Sequence, residues 1–310
     1  DGSLILGNNS RPFPSIVIDR VFTDAFETKW LSWLGPWDLS VMFGQLEEER
    51  KIPNAQFFGL RLNFKPIPSL EVGLSRTAQW CGDGRPCDAS TFVDLLLGND
   101  TRGTGGISQE NEPGNQLAGV DFRWSPSFIN LPVSAYGQFI GEDEAGGFPS
   151  RYIGQLGLES SGFLKDSWSY RWYVETAATT ADFLKSESIF NYAYNHGIYR
   201  TGYRYRGRSI GHGADNDTLL FSAGLLMVDQ RDTQWRASLR FGEINREGPP
   251  DSRNSLTPTP QDIVSLDISH SRVFTFGVID VGAGFEKVDD AASGSSQSDG
   301  RFYVEWRSSY

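Results

Sequence analysis

Hydrophobic and polar side chains alternate with a period of two along almost the whole chain, as in strands with one apolar and one polar face. Between Ala55 and Lys65, Phe58, Leu60, Leu62 and Phe64 share one face; Gly59, Arg61, Asn63 and Lys65 share the other. Val120, Phe122 and Trp124 oppose Gly119, Asp121 and Arg123. Trp235, Ala237, Leu239 and Phe241 oppose Gln234, Arg236, Ser238 and Arg240. Phe302, Val304, Trp306 and Tyr310 oppose Tyr303, Glu305 and Arg307. The pattern predicts strands near 15–22, 36–49, 55–65, 70–80, 116–125, 131–142, 151–162, 168–180, 188–195, 197–208, 217–228, 233–245, 262–273, 277–288 and 300–310. Ser3–Gly7 is a candidate for one more.

The polar face is rich in Gly, Arg, Ser, Tyr and Asp rather than the Lys, Glu and Thr of a water-facing sandwich. Such a mixture suits a wet, crowded lumen, and the apolar face suits lipid. Trp37, Trp124, Trp168 and Trp235 sit near strand ends, where interfacial girdles need them. The expected fold is an all-β, transmembrane, antiparallel up-and-down barrel of about 16–18 strands forming a single domain over 1–310. A soluble all-β sandwich is the other reading.

Loop lengths alternate as they do in outer-membrane barrels, with long loops outside and short turns in the periplasm. The segments 289–299, 246–261, 143–150, 81–115 and 50–54 fall on the outer side; 274–276, 229–232, 163–167, 126–130 and 66–69 fall on the other. That parity requires 188–195 to be a strand of its own. Segment 23–35 breaks the rule and reads as a short amphipathic helix. The longest loop, 81–115, holds the apolar stretch TFVDLLLG (91–98), expected to be a short helix folded into the barrel mouth.

The chain has 310 residues, 38% of them hydrophobic and 13% aromatic, with 34 glycines. Half-apolar strands explain that balance. No stretch of 18 consecutive apolar residues exists, which excludes a helical membrane span. No signal sequence is visible, so Asp1 reads as a mature or trimmed start. The net charge of −11 argues against nucleic acid. Cys81 and Cys87, in CGDGRPC, are a disulfide or two free thiols; an oxidising periplasm or cell surface favours the bond.

Catalytic patterns are weak. His196, His212 and His270 have no metal-ligand spacing, and His270 in SHS is a strand-end polar residue or a remote hydrolase candidate. No metal site or cofactor is expected. The acidic runs LEEERK (46–51) and GEDEA (141–145) read as solvated loops, or as carboxylates for a divalent cation. The segment YRTGYRYRGR (199–208) is more informative. As a strand it would line up Tyr199, Thr201, Tyr203 and Tyr205 toward lipid, and Arg200, Arg204, Arg206 and Arg208 toward the lumen. Arg236 and Arg240 would join them in a stripe able to bind anionic groups in the two-pronged manner of guanidinium. Alternatively, the arginines pair with Asp121, Glu159, Glu175, Asp267, Asp280 and Glu305 in a structural network.

GLSRTAQWCGDGRP (73–86), NQLAGVDFRW (115–124), GQFIGEDEAGGFPSRY (137–152) and YNHGIYRTGYRYRGRSIGH (194–212) together resemble the Wzi-type capsule assembly proteins, over most of 11–310. The resemblance implies a bacterial outer-membrane barrel with a lectin-like role, holding capsular polysaccharide at the cell surface, and not an enzyme. It also implies N-terminal material that this sequence lacks. The expected partners are an acidic capsular or exopolysaccharide, outer-membrane lipid and lipopolysaccharide; the barrel is expected to be a monomer. A channel or exporter for anionic oligosaccharides and an outer-membrane hydrolase are the alternatives.

Overall fold

The computed structural model describes residues 2–308 except 22–23, 98–107, 109, 129–130, 146–147, 165–167 and 248–252. Thirteen strands form one continuous antiparallel sheet. Its first eight members are β1 (Ser15–Arg20), β2 (Trp37–Gln45), β3 (Gln56–Ile67), β4 (Leu70–Trp80), β5 (Gly114–Trp124), β6 (Val133–Ala145), β7 (Phe148–Leu164) and β8 (Trp168–Ala178). A separate two-stranded hairpin follows, β9 (Arg204–Tyr205) with β10 (Arg208–Ser209). The sheet resumes with β11 (Leu219–Asp229), β12 (Gln234–Ile244), β13 (Gln261–Phe274), β14 (Gly277–Asp290) and β15 (Ser295–Arg307). Every pairing is between neighbours in this order, and β1 and β15 are the two end strands among the described residues. Residues from β2 to β5 and from β12 to β15 line the same central cavity, so the sheet curls round it.

Alternation decides which side chain meets what. Leu62, Leu74 and Val120 lie in one register row. Leu239, Leu266 and Phe285 form another. Leu74, Val120, Leu239, Leu266, Phe285, Phe302, Val304 and Trp306 are exposed on the outer surface, an apolar belt suited to hydrocarbon. Their strand neighbours point inward, where Arg61 meets Asp121 and Arg301 meets Asp267. Trp37, Trp124, Trp168 and Trp235 all sit at strand ends on the short-turn side, the girdle that their positions predict.

Five expected elements come out differently. Segments 188–195 and 197–208 are not wall strands; β8 pairs directly with β11, beginning at Ala178 with Leu219. Removing two strands preserves the parity, so the loop alternation survives. Ser3–Gly7 is not a strand, and Leu4 and Ile5 are buried inside the lumen. The expected long loop 289–299 is only the turn 291–294, because β14 and β15 extend past it. Segment 23–35 contains a 3-10 turn at Ser32–Leu34 in place of an amphipathic helix. Tyr310 and residues 98–107 lie outside the described residues.

The belt generates a direct test. Leu266→Arg places a cation on the lipid face and should cost ~2–4 kcal/mol near the bilayer midplane. Ser238→Arg points into the hydrated cavity and should cost much less. Urea titration of folding into lipid vesicles measures both; equal penalties would contradict the assignment of faces.

Candidate functional site

A barrel this wide cannot be filled by its wall side chains alone. Most of the segment 179–218 fills the outer half of the lumen. Its sequence is loop-like on close reading: Asn191, Tyr194, Gly202, Arg206 and Gly207 adopt positive φ, which a regular strand does not contain. Gly202 has no substitute, since a Cβ there would lie 2.2 Å from Arg204 Nη1 and 2.5 Å from the Tyr194 carbonyl. Tyr194, Tyr199 and Tyr203 are buried in this segment and do not face lipid. Tyr194 Oη donates to Leu4 O at 2.6 Å and accepts from the His212 amide at 3.2 Å. Tyr203 Oη donates to Ile5 O at 2.7 Å, and Tyr199 Oη donates to Cys81 O at 3.1 Å. Burial pushes the Tyr199 hydroxyl up to about 12 and raises those of Tyr194 and Tyr203 too, so all three remain neutral donors.

At the centre is a buried, two-pronged ion pair. Arg204 Nε and Nη2 donate to Asp215 Oδ2 and Oδ1 at 2.7 and 2.8 Å. The same guanidinium reaches Asn216 Oδ1 at 3.0 Å and Asn195 Oδ1 at 2.9 Å. The other outer loops lock onto it. Arg50 donates to the carbonyls of Arg204 and Gly202 at 3.1 and 3.2 Å, and Gln79 to that of Gly202 at 3.0 Å. Glu47 Oε1 accepts the Arg206 amide at 3.1 Å. The Ser255 amide donates to Asp215 Oδ2 at 2.8 Å, and His196 Nε2 lies 2.9 Å from Glu112 Oε1. Described parts of the outer loops, in 46–55, 81–88, 110–113, 179–218 and 253–260, thereby form one cap.

The six arginines predicted to make a stripe are split among three environments. Arg204 is consumed by the cap interior. Arg200, Arg206 and Arg208 are exposed on the cap. Lys51, whose amide donates to Thr201 Oγ1 at 2.9 Å, and Arg253, which donates to the His196 carbonyl at 3.2 Å, are exposed with them. Arg236 and Arg240 stay on the wall in β12, below the cap. Neither Lys51 nor the Arg50–Glu47 pair was foreseen; LEEERK read as an acidic loop, and nothing local says that Glu47 turns inward.

Beneath the cap lies a cavity of about 1250 Å³, lined by Arg61, Asp121, Glu159, Arg236 and Tyr303 among others. Several of its charges are paired, whereas Arg236 donates to the neutral Gln234 Oε1. Arg61 makes two bonds of 2.7 and 2.8 Å to Asp121, and Arg123 and Arg171 both bridge to Glu159. Tyr136 donates to Glu175 at 2.8 Å, Arg301 pairs with Asp267, and Arg307 contacts Asp280 and Glu305. Five of the six acids expected in a structural network thus pair with Arg61, Arg123, Arg171, Arg301 and Arg307, arginines outside the expected stripe, and Glu175 accepts from Tyr136.

Catalytic geometry is poor. His270 packs on the outer face, 4.3 Å from the Trp235 ring, while the neighbours Ser269 and Ser271 point to the lumen by strand parity. His212 is buried and pushed down to about 4 by desolvation, so it stays neutral and serves the cap. Among the described residues no three His, Cys, Asp or Glu side chains gather as metal ligands. Cys81 and Cys87 form a disulfide with Cα atoms 4.5 Å apart.

Comparison with known proteins follows the same geometry. A family model described as capsule assembly protein Wzi matches residues 1–290. A Klebsiella pneumoniae protein, described as an uncharacterized 55.8 kDa protein in the cps region, is 38% identical over 247 residues, which is 79% of this chain and 47% of that one. The solved Escherichia coli Wzi, described as an outer-membrane protein involved in group 1 capsule assembly and a carbohydrate-binding β-barrel, superposes with a TM-score of 0.78 at 31% identity. That match covers 96% of this chain and 61% of the Escherichia coli one, so the chain spans about half to three-fifths of these relatives. Sequence motifs, wall and family model agree: the chain belongs to the Wzi capsule assembly family of outer-membrane β-barrels.

Proposed function

We propose that this protein binds an acidic capsular polysaccharide on its outer surface and anchors it to the cell without chemistry. The observation that carries the reading is the cap presenting Arg200, Arg206 and Arg208, with Lys51 and Arg253, on its exposed side. A chain of net charge −11 repels an acidic polymer at long range. Binding must therefore be local, through cations held clear of the acids. The cap supplies that, because its internal pairs fix the backbone from which the exposed arginines project. Guanidinium suits a carboxylate, which it meets with two parallel hydrogen bonds. The E. coli relative, a carbohydrate-binding barrel, supports the ligand class. A monomer suffices for this role.

The alternative is a channel for anionic oligosaccharides, which the hydrated cavity of about 1250 Å³ below the cap favours. It requires the cap to open. The buried Arg204–Asp215 pair opposes opening, since removing one partner of such a pair strands the other charge.

Replacing Arg200, Arg206 and Arg208 together by Gln should lower retention of acidic polymer by about tenfold, from three exposed pairs at ~0.2–1 kcal/mol each, with the barrel still folded. Pull-down of purified capsule on vesicle-embedded protein measures it; unchanged retention would remove the cap from the binding site. In planar bilayers the native protein should be nearly silent. Arg204→Ala should raise conductance, because stranding Asp215 costs ~3–5 kcal/mol of cap stability. An open native pore would favour the channel reading.

A further inference from the structure

The wall carries apolar clusters on both of its faces. Phe57, Leu117, Ile140 and Ile153 point inward and pack under the cap. Phe58 and Ala78, on the opposite parity, join a second cluster with Val41, Trp80 and three residues of the helix α1 (Ala89–Leu97): Phe92, Leu95 and Leu96. The Phe92 ring lies 4.8 Å from Trp80 and 5.3 Å from Phe58. The helix expected inside the mouth therefore lies outside the barrel, against β2–β5. The Cys81–Cys87 bridge closes the loop at the point where the chain leaves β4.

Arg76 gives a second, independent observation. In register with Leu60 and Ala118, it projects from the outward face, where a cation is costly in hydrocarbon. It donates to the last-turn carbonyls of α1, Leu95 O at 2.8 Å and Leu96 O at 3.0 Å, and to Gln116 Oε1 at 2.8 Å. A helix C-terminus is the favourable partner for a cation. Such an arrangement serves a place that water does not fill.

The neighbouring rim repeats the design. Phe183 lies over Gly154, where a Cβ would come within 2.2 Å of its ring, and stacks 6.5 Å from outward-facing Phe139. Asp182 Oδ2 accepts from Arg151 Nη1 at 2.7 Å and Lys185 Nζ at 2.9 Å. The apolar side chains left uncovered are Val93 at 50%, Leu97 at 67% and Leu184 at 77% exposure.

We propose that α1 and residues 182–185 form a collar seated in the outer leaflet, with Val93, Leu97 and Leu184 among the acyl chains of its lipid. Asp94, Asp182 and Lys185 then sit at headgroup level. The occupant is lipid because the collar continues the lipid-facing belt through Phe43, Leu74 and Val120, where the capped Arg76 and its acceptor Gln116 satisfy each other. The collar spans β2 to β7, so it ties one sector of the outer loops to the membrane at a fixed height.

Both cysteines are bridged, so one introduced cysteine gives a unique labelling site. Nitroxide would be attached at Val93→Cys, Leu97→Cys and Leu184→Cys, with Leu266→Cys in the belt and Ser293→Cys in an exposed outer turn as references. The proteins are placed in phosphatidylcholine vesicles containing lipopolysaccharide. Collisions with oxygen and with a water-soluble nickel complex are then measured. The three collar sites should lose nickel collisions to the level of site 266 and keep oxygen collisions. Nickel access equal to that at site 293 would overturn the proposal, showing a collar in water. Loss of both reagents would also overturn it, showing a protein contact instead of lipid.

Discussion

Every backbone N–H and C=O that enters hydrocarbon must find its partner within the protein, because lipid offers none. Among the described residues the eleven inner strands meet this demand on both edges by pairing with their neighbours in the sheet, and β1 and β15 on one edge each, in registers that shift near Phe64 and Ile67. Once the ladder is fixed, so is the direction of each side chain. Phe57 looks into the lumen and Phe58 looks out, with no intermediate choice. The apolar belt, the tryptophan girdle and the paired lumen charges are consequences of that one requirement.

The same ladder creates a problem, since a sheet curled this widely encloses more space than its own side chains fill. The long loops answer it in two directions. Segment 190–218 turns inward and brings its tyrosines to Leu4 and Ile5, with Arg204 and Asp215 neutralising each other at the centre. Helix α1 turns outward and covers Arg76. Buried charge is tolerable in both places because each guanidinium is met by several acceptors. What remains exposed is a rigid cap surface in which Arg200, Arg206 and Arg208 project from a backbone already satisfied.

Legibility followed the periodicity. Phe302, Val304 and Trp306 against Tyr303, Glu305 and Arg307 are readable because a strand needs no information beyond its own alternation. YRTGYRYRGR misled for the same reason: Tyr and Arg alternate there too. Gly202 and Gly207, with Asn191 before them, were the available signal of a folded loop. The disulfide was legible from spacing and composition. TFVDLLLG was legible as a helix, but its own residues could not say whether it packs inside or outside the wall.

The alternation by itself determined the two faces of the thirteen wall strands, because these depend on neighbours in the chain, although it also assigned 188–195 and 197–208 to the wall. Only the tertiary structure decided that Arg204 is structural while Arg200, Arg206 and Arg208 are exposed, and that the long loops part to opposite sides of the wall. Those outcomes depend on contacts between segments far apart in sequence, such as Arg50 with Gly202 and Arg76 with Leu95, which no local pattern encodes.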